Sequence, residues 1–229
     1  MACPVLPGIK ACVFDAYGTL FDFATAAGGC RDVLGDKTEA VTELWRQKQL
    51  AYSWLRAAQG RHADFWQVTG EALDVALKTL EIDIPGVHTR LMNLYLALAP
   101  FPEVVDVLAR VRRAGLKTAI LSNGTPAMLK SVIDAAGLAS AFDAVLSVEE
   151  AGVYKPHPRV YQLAVDRLGV PCAAIAFQSS NAWDAHAAAA FGMTAVWCNR
   201  AGAPCERLPG KLACTIKTLA ALPPLIGAD

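Results

Sequence analysis

A chain of 229 residues that is 54% hydrophobic is long enough to bury a full core and falls between one and two domains. Lysine plus arginine and aspartate plus glutamate number 21 each, with no basic cluster, so charge gives no reason to expect nucleic acid or an anionic membrane as partner and favours a small-molecule substrate. The start, MACPVLPGIK, lacks the charged, apolar and cleavable parts of a leader, and no apolar run approaches the ~20 residues of a bilayer span, so the expected location is the cytoplasm.

The first element is an apolar run, Ala11 to Phe14, with the length and side chains of a strand; it gives way at once to Asp15, a small residue, Gly18 and Thr19. From about residue 24 to 100 the periodicity is helical and no strand-like run interrupts it. Helices are expected over Asp36 to Gln59, with Asp36 and Glu39 as a start signal, over Ala63 to Leu80 and over Val87 to Leu98; Pro100 and Pro102 then punctuate the chain. The pattern alternates afterwards. Helix Glu103 to Ala114, strand Lys117 to Leu121, helix 126–136, strand Ala144 to Ser147, helix 158–168, strand Ala174 to Gln178, helix 182–191 and strand Thr194 to Cys198 follow, with Gly115, Gly137, Gly169 and Gly192 ending the helices. Strands separated by helices of this length require right-handed crossovers and a parallel sheet covered on both faces. The seven cysteines (Cys3, Cys12, Cys30, Cys172, Cys198, Cys205 and Cys214) form an odd set with no C-x-x-C pair and no histidine at zinc spacing, and free thiols are the expectation.

On that plan the polar residues fall beyond the carboxyl ends of strands, where an open α/β sheet binds its ligands. Asp15 follows the first strand, Ser122 and Asn123 the second, Lys155 the third, and Ser179, Asn181 and Asp184 the fourth. A lysine near Asp15 favours its ionised form, and hydrogen-bond donors would hold one lone pair outward, as a carboxylate nucleophile requires. Each residue also has a plainer reading. An aspartate after a strand often caps a turn, Ser122 and Asn123 before Gly124 are ordinary turn chemistry, Lys155 fits surface charge, Asp184 suits the start of a helix, and Arg46, among Trp45, Leu50 and Trp54, fits the solvated edge of an amphipathic helix.

The order and spacing of Asp15, Thr19, Ser122, Lys155 and Asp184 over an α/β sheet resembles the haloacid dehalogenase superfamily, whose members use the first aspartate as a covalent nucleophile. Most of that superfamily are magnesium-dependent phosphatases beginning D-x-D; here Tyr17 stands in place of the second acid, and Ser180 in place of one acid of the last motif. The strings FDAYGTLFD, LWRQKQLAYSWLR, LSNG, YKPHPRVYQLA and SSNAWDA narrow the resemblance to the L-2-haloacid dehalogenases.

The resemblance implies a Rossmann-like, doubly wound core from residues 1–22 and 101–229, a helical cap from 23–100, and an active site between them. It implies that Asp15 displaces halide from the α-carbon of a short L-2-haloalkanoic acid, and that water then hydrolyses the ester to the D-2-hydroxy acid. Arg46 and Asn123 would receive the halide. Ser122 and the backbone around Ala16 and Tyr17 would bind the substrate carboxylate, and Lys155 would keep Asp15 ionised. Thr19 belongs to the catalytic set. Ser179 and Asn181 would support Lys155 and the water, Tyr161 would be a supporting hydrogen bonder, and Asp184 the base. Tyr17, Gln47, Leu50, Phe65 and Trp183 would wall in the alkyl group. No metal or other cofactor is expected, and a homodimer is. A magnesium-dependent phosphatase and a non-catalytic binding protein are the alternatives; an acid at position 17 or 180 would have favoured the first, and decay of the polar set the second.

Overall fold

The computed structural model describes residues 3–23 and 30–228. Strand β1 (Ala11–Phe14) is wholly buried and lies at the centre of a six-stranded sheet ordered β3-β2-β1-β4-β5-β6, with every pairing parallel. The other strands are β2 (Lys117–Ser122), β3 (Ala144–Ser147), β4 (Ile175–Ser179), β5 (Thr194–Cys198) and β6 (Cys214–Ile216). A strand buried on both faces is apolar without alternation, which is why these segments stand out as continuous runs. Ser122 and Ser179, expected just beyond strands, are the last residues of β2 and β4.

The helices are α1 (Arg31–Leu34), α2 (Thr38–Gln59), α3 (Phe65–Thr79), α4 (Val87–Leu94), α5 (Val104–Arg113), α6 (Pro126–Ala135), α7 (Pro158–Leu168), α8 (Ala182–Phe191) and α9 (Leu222–Leu225). Local chemistry sets several starts. The Asp64 carboxylate accepts from Gln67 N at 2.8 Å at the head of α3, while Thr125 caps α6 and Pro126 opens it. Gly115, Gly137, Gly169 and Gly192 follow their helices with positive φ, as expected.

Three expectations are corrected. Asp36 caps no helix among the described residues: residues Gly35–Lys37 form a 3₁₀ turn, α2 starts at Thr38, whose hydroxyl donates to Gly35 O, and Glu39 pairs with Arg31. The helix beginning at Val87 stops at Leu94 instead of Leu98, because Tyr95 turns inward among Tyr17, Phe23 and Trp45 and the following amides switch to tighter bonds three residues back. The cysteines are not all free thiols: Cys3 and Cys214 form a disulfide across 211 residues, since the N-terminal segment runs beside β6 and Leu6 N donates to Leu225 O. The start of the expected helical stretch, residues 24–29, lies outside the described residues.

The two chain crossings between sheet and helical segment lie side by side. Asp22 N donates to Ala99 O and Phe101 N to Leu20 O, both at 2.9 Å, and Phe21 bridges Pro100. One hydrophobic cluster runs through both parts, from Val13, Ile120 and Phe177 to Trp45, Leu73 and Leu91. Among the described residues no helix is long and apolar enough to cross a membrane.

Candidate active site

The register of the sheet explains why distant residues meet. Phe14 lies opposite Ile120 on one side and Gln178 on the other, so Asp15 emerges level with the ends of β2 and β4, and its N–H extends the pairing to Gln178 O at 2.9 Å. A tight turn follows. Gly18 has φ of 82°, a conformation that side-chain-bearing residues rarely take, and a Cβ there would lie 3.0 Å from Ser180 Oγ.

Asp15 is 6% exposed and its two oxygens are treated differently. Oδ1 accepts from Lys155 Nζ at 3.2 Å. Oδ2 takes donors from Thr19 Oγ1 at 3.1 Å, Ser179 Oγ at 3.3 Å and Asn181 Nδ2 at 3.0 Å. The Lys155 ammonium also reaches Asp184 Oδ2 at 2.8 Å and lies 5.1 Å from the centre of the Phe177 ring, and Tyr161 Oη donates to Asp184 Oδ1 at 2.7 Å. A lysine with 1% exposure is therefore matched by two carboxylates and neither acid is left without a donor.

The charges follow from this packing. Burial alone would lower the Lys155 pKa, but the fields of Asp15 and Asp184 and their hydrogen bonds outweigh it and raise the value above 10.5. Burial pushes Asp184 above the ordinary 3.8, with Lys155 opposing the rise and Asp15 adding to it. Tyr161 is raised well above 10.0, first by burial and then by Asp184, so it stays a donor. Tyr17 is raised by burial, Tyr95 and Asp15, and its buried hydroxyl has no hydrogen-bond partner among the described residues.

The β2 end supplies the opposite wall. Ser122 Oγ accepts from Gly124 N at 3.1 Å, and Asn123 Oδ1 accepts from Lys155 N at 3.2 Å. Gly124 is required by contact: a Cβ there would stand 2.8 Å from the Tyr17 ring. Among the described residues no main-chain carbonyl takes the N–H of Ala16 or Tyr17, which leaves two donors beside Asp15.

From the helical segment, α2 brings Arg46, whose guanidinium donates to Asn181 Oδ1 at 2.5 Å. Arg46, Leu50, Asn181 and Trp183 share a cavity of about 390 Å³ with Gly18 and Ser180. The Phe65 ring is 6.5 Å from that of Tyr17, and Trp183 meets Trp54 edge-on at 5.4 Å. Asp15 and Lys155 thus lie in one buried cluster with Asp184, and half-buried Arg46 bonds to its edge through Asn181. Gln47 is the exception: it is exposed on α2, and the buried glutamine of that stretch is Gln49, which donates to Thr69 Oγ1 and Tyr95 Oη.

Sequence reasoning did not single out Tyr95, Gln49, Trp54 or Arg200, because each acts through a partner far along the chain. Ser180, noted only for an absent acid, bonds Thr19: its N–H donates to Thr19 Oγ1 at 2.8 Å.

A sequence model described as haloacid dehalogenase-like hydrolase matches residues 9–192, and the chain belongs to that family. Within it, the chain is 45% identical over 219 residues to (S)-2-haloacid dehalogenase 1 of Pseudomonas sp. (strain CBS-3), covering 95% of this chain and 96% of that protein. A crystal structure of a dehalogenase superposes with a TM-score of 0.95 at 42% identity, covering 98% of this chain and all of the other. The L-2-haloacid dehalogenase of Xanthobacter autotrophicus with chloropropionic acid covalently bound superposes with a TM-score of 0.85 at 39% identity, covering 95% and 98%.

Proposed function

We propose that this chain hydrolyses short L-2-haloalkanoic acids to D-2-hydroxy acids through an ester on Asp15, with residues 23–100 acting as a cap over the site. The observation that carries the reading is the unequal bonding of Asp15: among the described residues one oxygen is held by Lys155 alone, the other by three donors. Oδ1 keeps a lone pair for the α-carbon. It attacks from the side opposite the halogen, the carbon–halogen bond breaks, and the halide leaves with the bonding pair toward Arg46 and Asn123. Ser122 and the amides of Ala16 and Tyr17 hold the substrate carboxylate.

The product of that step is an ester whose carbonyl oxygen is Oδ2. Thr19, Ser179 and Asn181 already point donors at it, so they polarise the carbonyl and receive the negative charge that develops when water adds to Cγ. Asp184, oriented by its bonds to Lys155 and Tyr161 and made more basic by its burial, takes the proton from water. The Asp15 Cγ–Oδ1 bond then breaks, the proton held by Asp184 passes to the departing oxygen, and the hydroxy acid leaves with that oxygen while Asp15 keeps the one from water. The α-carbon, inverted once, is not touched again.

The reading is metal-independent. A phosphatase needs a dication to shield a phosphate from an attacking carboxylate, whereas here an ammonium sits between the two carboxylates, and Tyr17 and Ser180 replace two acids. The exposed Trp54 and Leu55 of α2 support a homodimer through this helix, and the proposed location is the cytoplasm, where the Cys3–Cys214 disulfide would be an uncommon feature. The test is chloride release from L- and D-2-chloropropionate, with and without EDTA, followed by one turnover with enzyme in excess in ¹⁸O-water. Release from the L-substrate alone, unaffected by EDTA, with label in Asp15 and not in the product is expected. Label in the product alone would mean direct attack by water, and a requirement for magnesium would restore the phosphatase reading.

A further inference from the structure

We infer that Arg200, in the loop after β5, is a positioning residue that sets the nucleophile through Thr19. The inference rests on the reading of Asp15 as nucleophile. The Arg200 guanidinium lies 3.6 Å from the centre of the Phe101 ring, pairs with Glu103 at 2.7 Å, and donates to the main-chain oxygen of Thr19 at 2.9 Å. Glu103 is itself fixed, accepting from Thr218 Oγ1 at 2.7 Å and Leu219 N at 3.2 Å. Phe101 and Glu103 follow the chain's return from the helical segment, and Phe101 N donates to Leu20 O. One planar fork therefore joins three pieces of chain: the nucleophile turn, the return crossing and the loop after β5. A lysine, with a single compact head, could not stack and bond both partners at once.

The position of Thr19 matters because its hydroxyl has one hydrogen and two acceptors within reach, Asp15 Oδ2 at 3.1 Å and Ser180 Oγ at 3.2 Å. Its oxygen is already engaged by Ser180 N. A small displacement of the Thr19 backbone decides whether the hydrogen goes to the nucleophile or to the serine. Arg200, 181 residues away in sequence, holds that backbone by its carbonyl. Release of the carbonyl costs Asp15 one of three donors on Oδ2 and loosens the direction in which Oδ1 is presented.

The test is single-turnover ester formation on Asp15, read by mass spectrometry, in the wild type, Arg200→Met, Thr19→Val and the double variant. Arg200→Met is expected to slow ester formation about tenfold or more, as a misplaced reacting group does, with KM changed far less than kcat. Arg200→Lys should recover only a small part of the loss. The double variant should be scarcely slower than Thr19→Val, since both changes act through the same hydroxyl. If Arg200→Met does not fold, Glu103→Gln decides, with a smaller loss confined to the same step. Absence of ester in the wild type would sink the nucleophile reading itself. Ester in the wild type together with an unchanged rate in Arg200→Met or, failing that, Glu103→Gln, or losses that add in full with Thr19→Val, would overturn the role given to Arg200.

Discussion

The sheet edge and the helical segment both contribute to the site, and they hold their groups differently. At the sheet edge Asp15, Lys155 and Asp184 are 6%, 1% and 0% exposed and are joined to one another and to Thr19, Ser179, Asn181 and Tyr161. On α2, Arg46 is half-buried and reaches the sheet edge through Asn181. The proposed covalent step would need a fixed nucleophile, which the over-determined cluster would provide; its halide would have to leave, which a lightly tethered cation would permit. Preorganisation is concentrated on the side where the bonds are made.

The sharpest way to break the cluster is Lys155→Met, which leaves two buried carboxylates with no cation. A loss of about 3–5 kcal/mol at neutral pH is expected from urea unfolding, with no ester formed. That loss should shrink toward acid, because Asp184 is already pushed up and its protonation removes one charge. In the wild type a raised native pKa makes the folded state hold the proton longer than the unfolded chain, so the Asp184 contribution to stability falls as pH rises above 3.8, and that of Lys155 is full below 10.5 and lost above it.

Asp184→Asn separates the two chemical steps. The ester should accumulate while its hydrolysis slows about 10²–10⁴-fold, the usual contribution of a positioned base. The acid limb of ester hydrolysis in the wild type should lie above pH 3.8 and disappear in the variant, as stopped-flow pH profiles would read. A variant with normal hydrolysis would hand the base role to another group.

Arg46→Lys probes the looser side. Turnover should fall about 10²-fold, because an ammonium cannot reproduce the planar fork, while the unfolding midpoint moves little. Near-normal turnover would return Arg46 to the helix surface. The smallest effect is expected of Tyr17→Phe. Its hydroxyl is buried without a partner among the described residues, so removing it should raise stability by about 1 kcal/mol in urea unfolding. A loss of stability would mean that a water or other group satisfies it.

Most of the architecture was legible in the sequence because buried strands and helix-ending glycines leave local marks. β6 was not legible: three residues, Cys214–Ile216, show no period, and their place comes from pairing with β5. The early end of α4 at Leu94 was hidden too, since Tyr95 leaves the helix for aromatic partners up to 78 residues away. In the site, Asp15, Ser122, Lys155, Ser179 and Asp184 could be placed together because each follows or ends a strand, and parallel strands align those ends. Which oxygen each donor meets is a matter of ångströms and has no sequence signal. Gln47 shows the limit of a motif: it carries the expected letter, yet it lies on the exposed face of α2, and the buried face carries Gln49 two residues on.

The edge-on contact of Trp54 and Trp183 gives the protein an optical property. One indole belongs to α2 and the other to α8, with ring centres 5.4 Å apart, so the pair spans the seam between the helical segment and the sheet. Any opening of that seam changes the surroundings of both indoles at once, together with those of half-buried Trp66 and of Trp197, which lines the cavity with Arg46 and Leu50, while Trp45 is enclosed at 1% exposure. The chain's own emission spectrum is thus a gauge of whether the two halves are together, and needs no attached label.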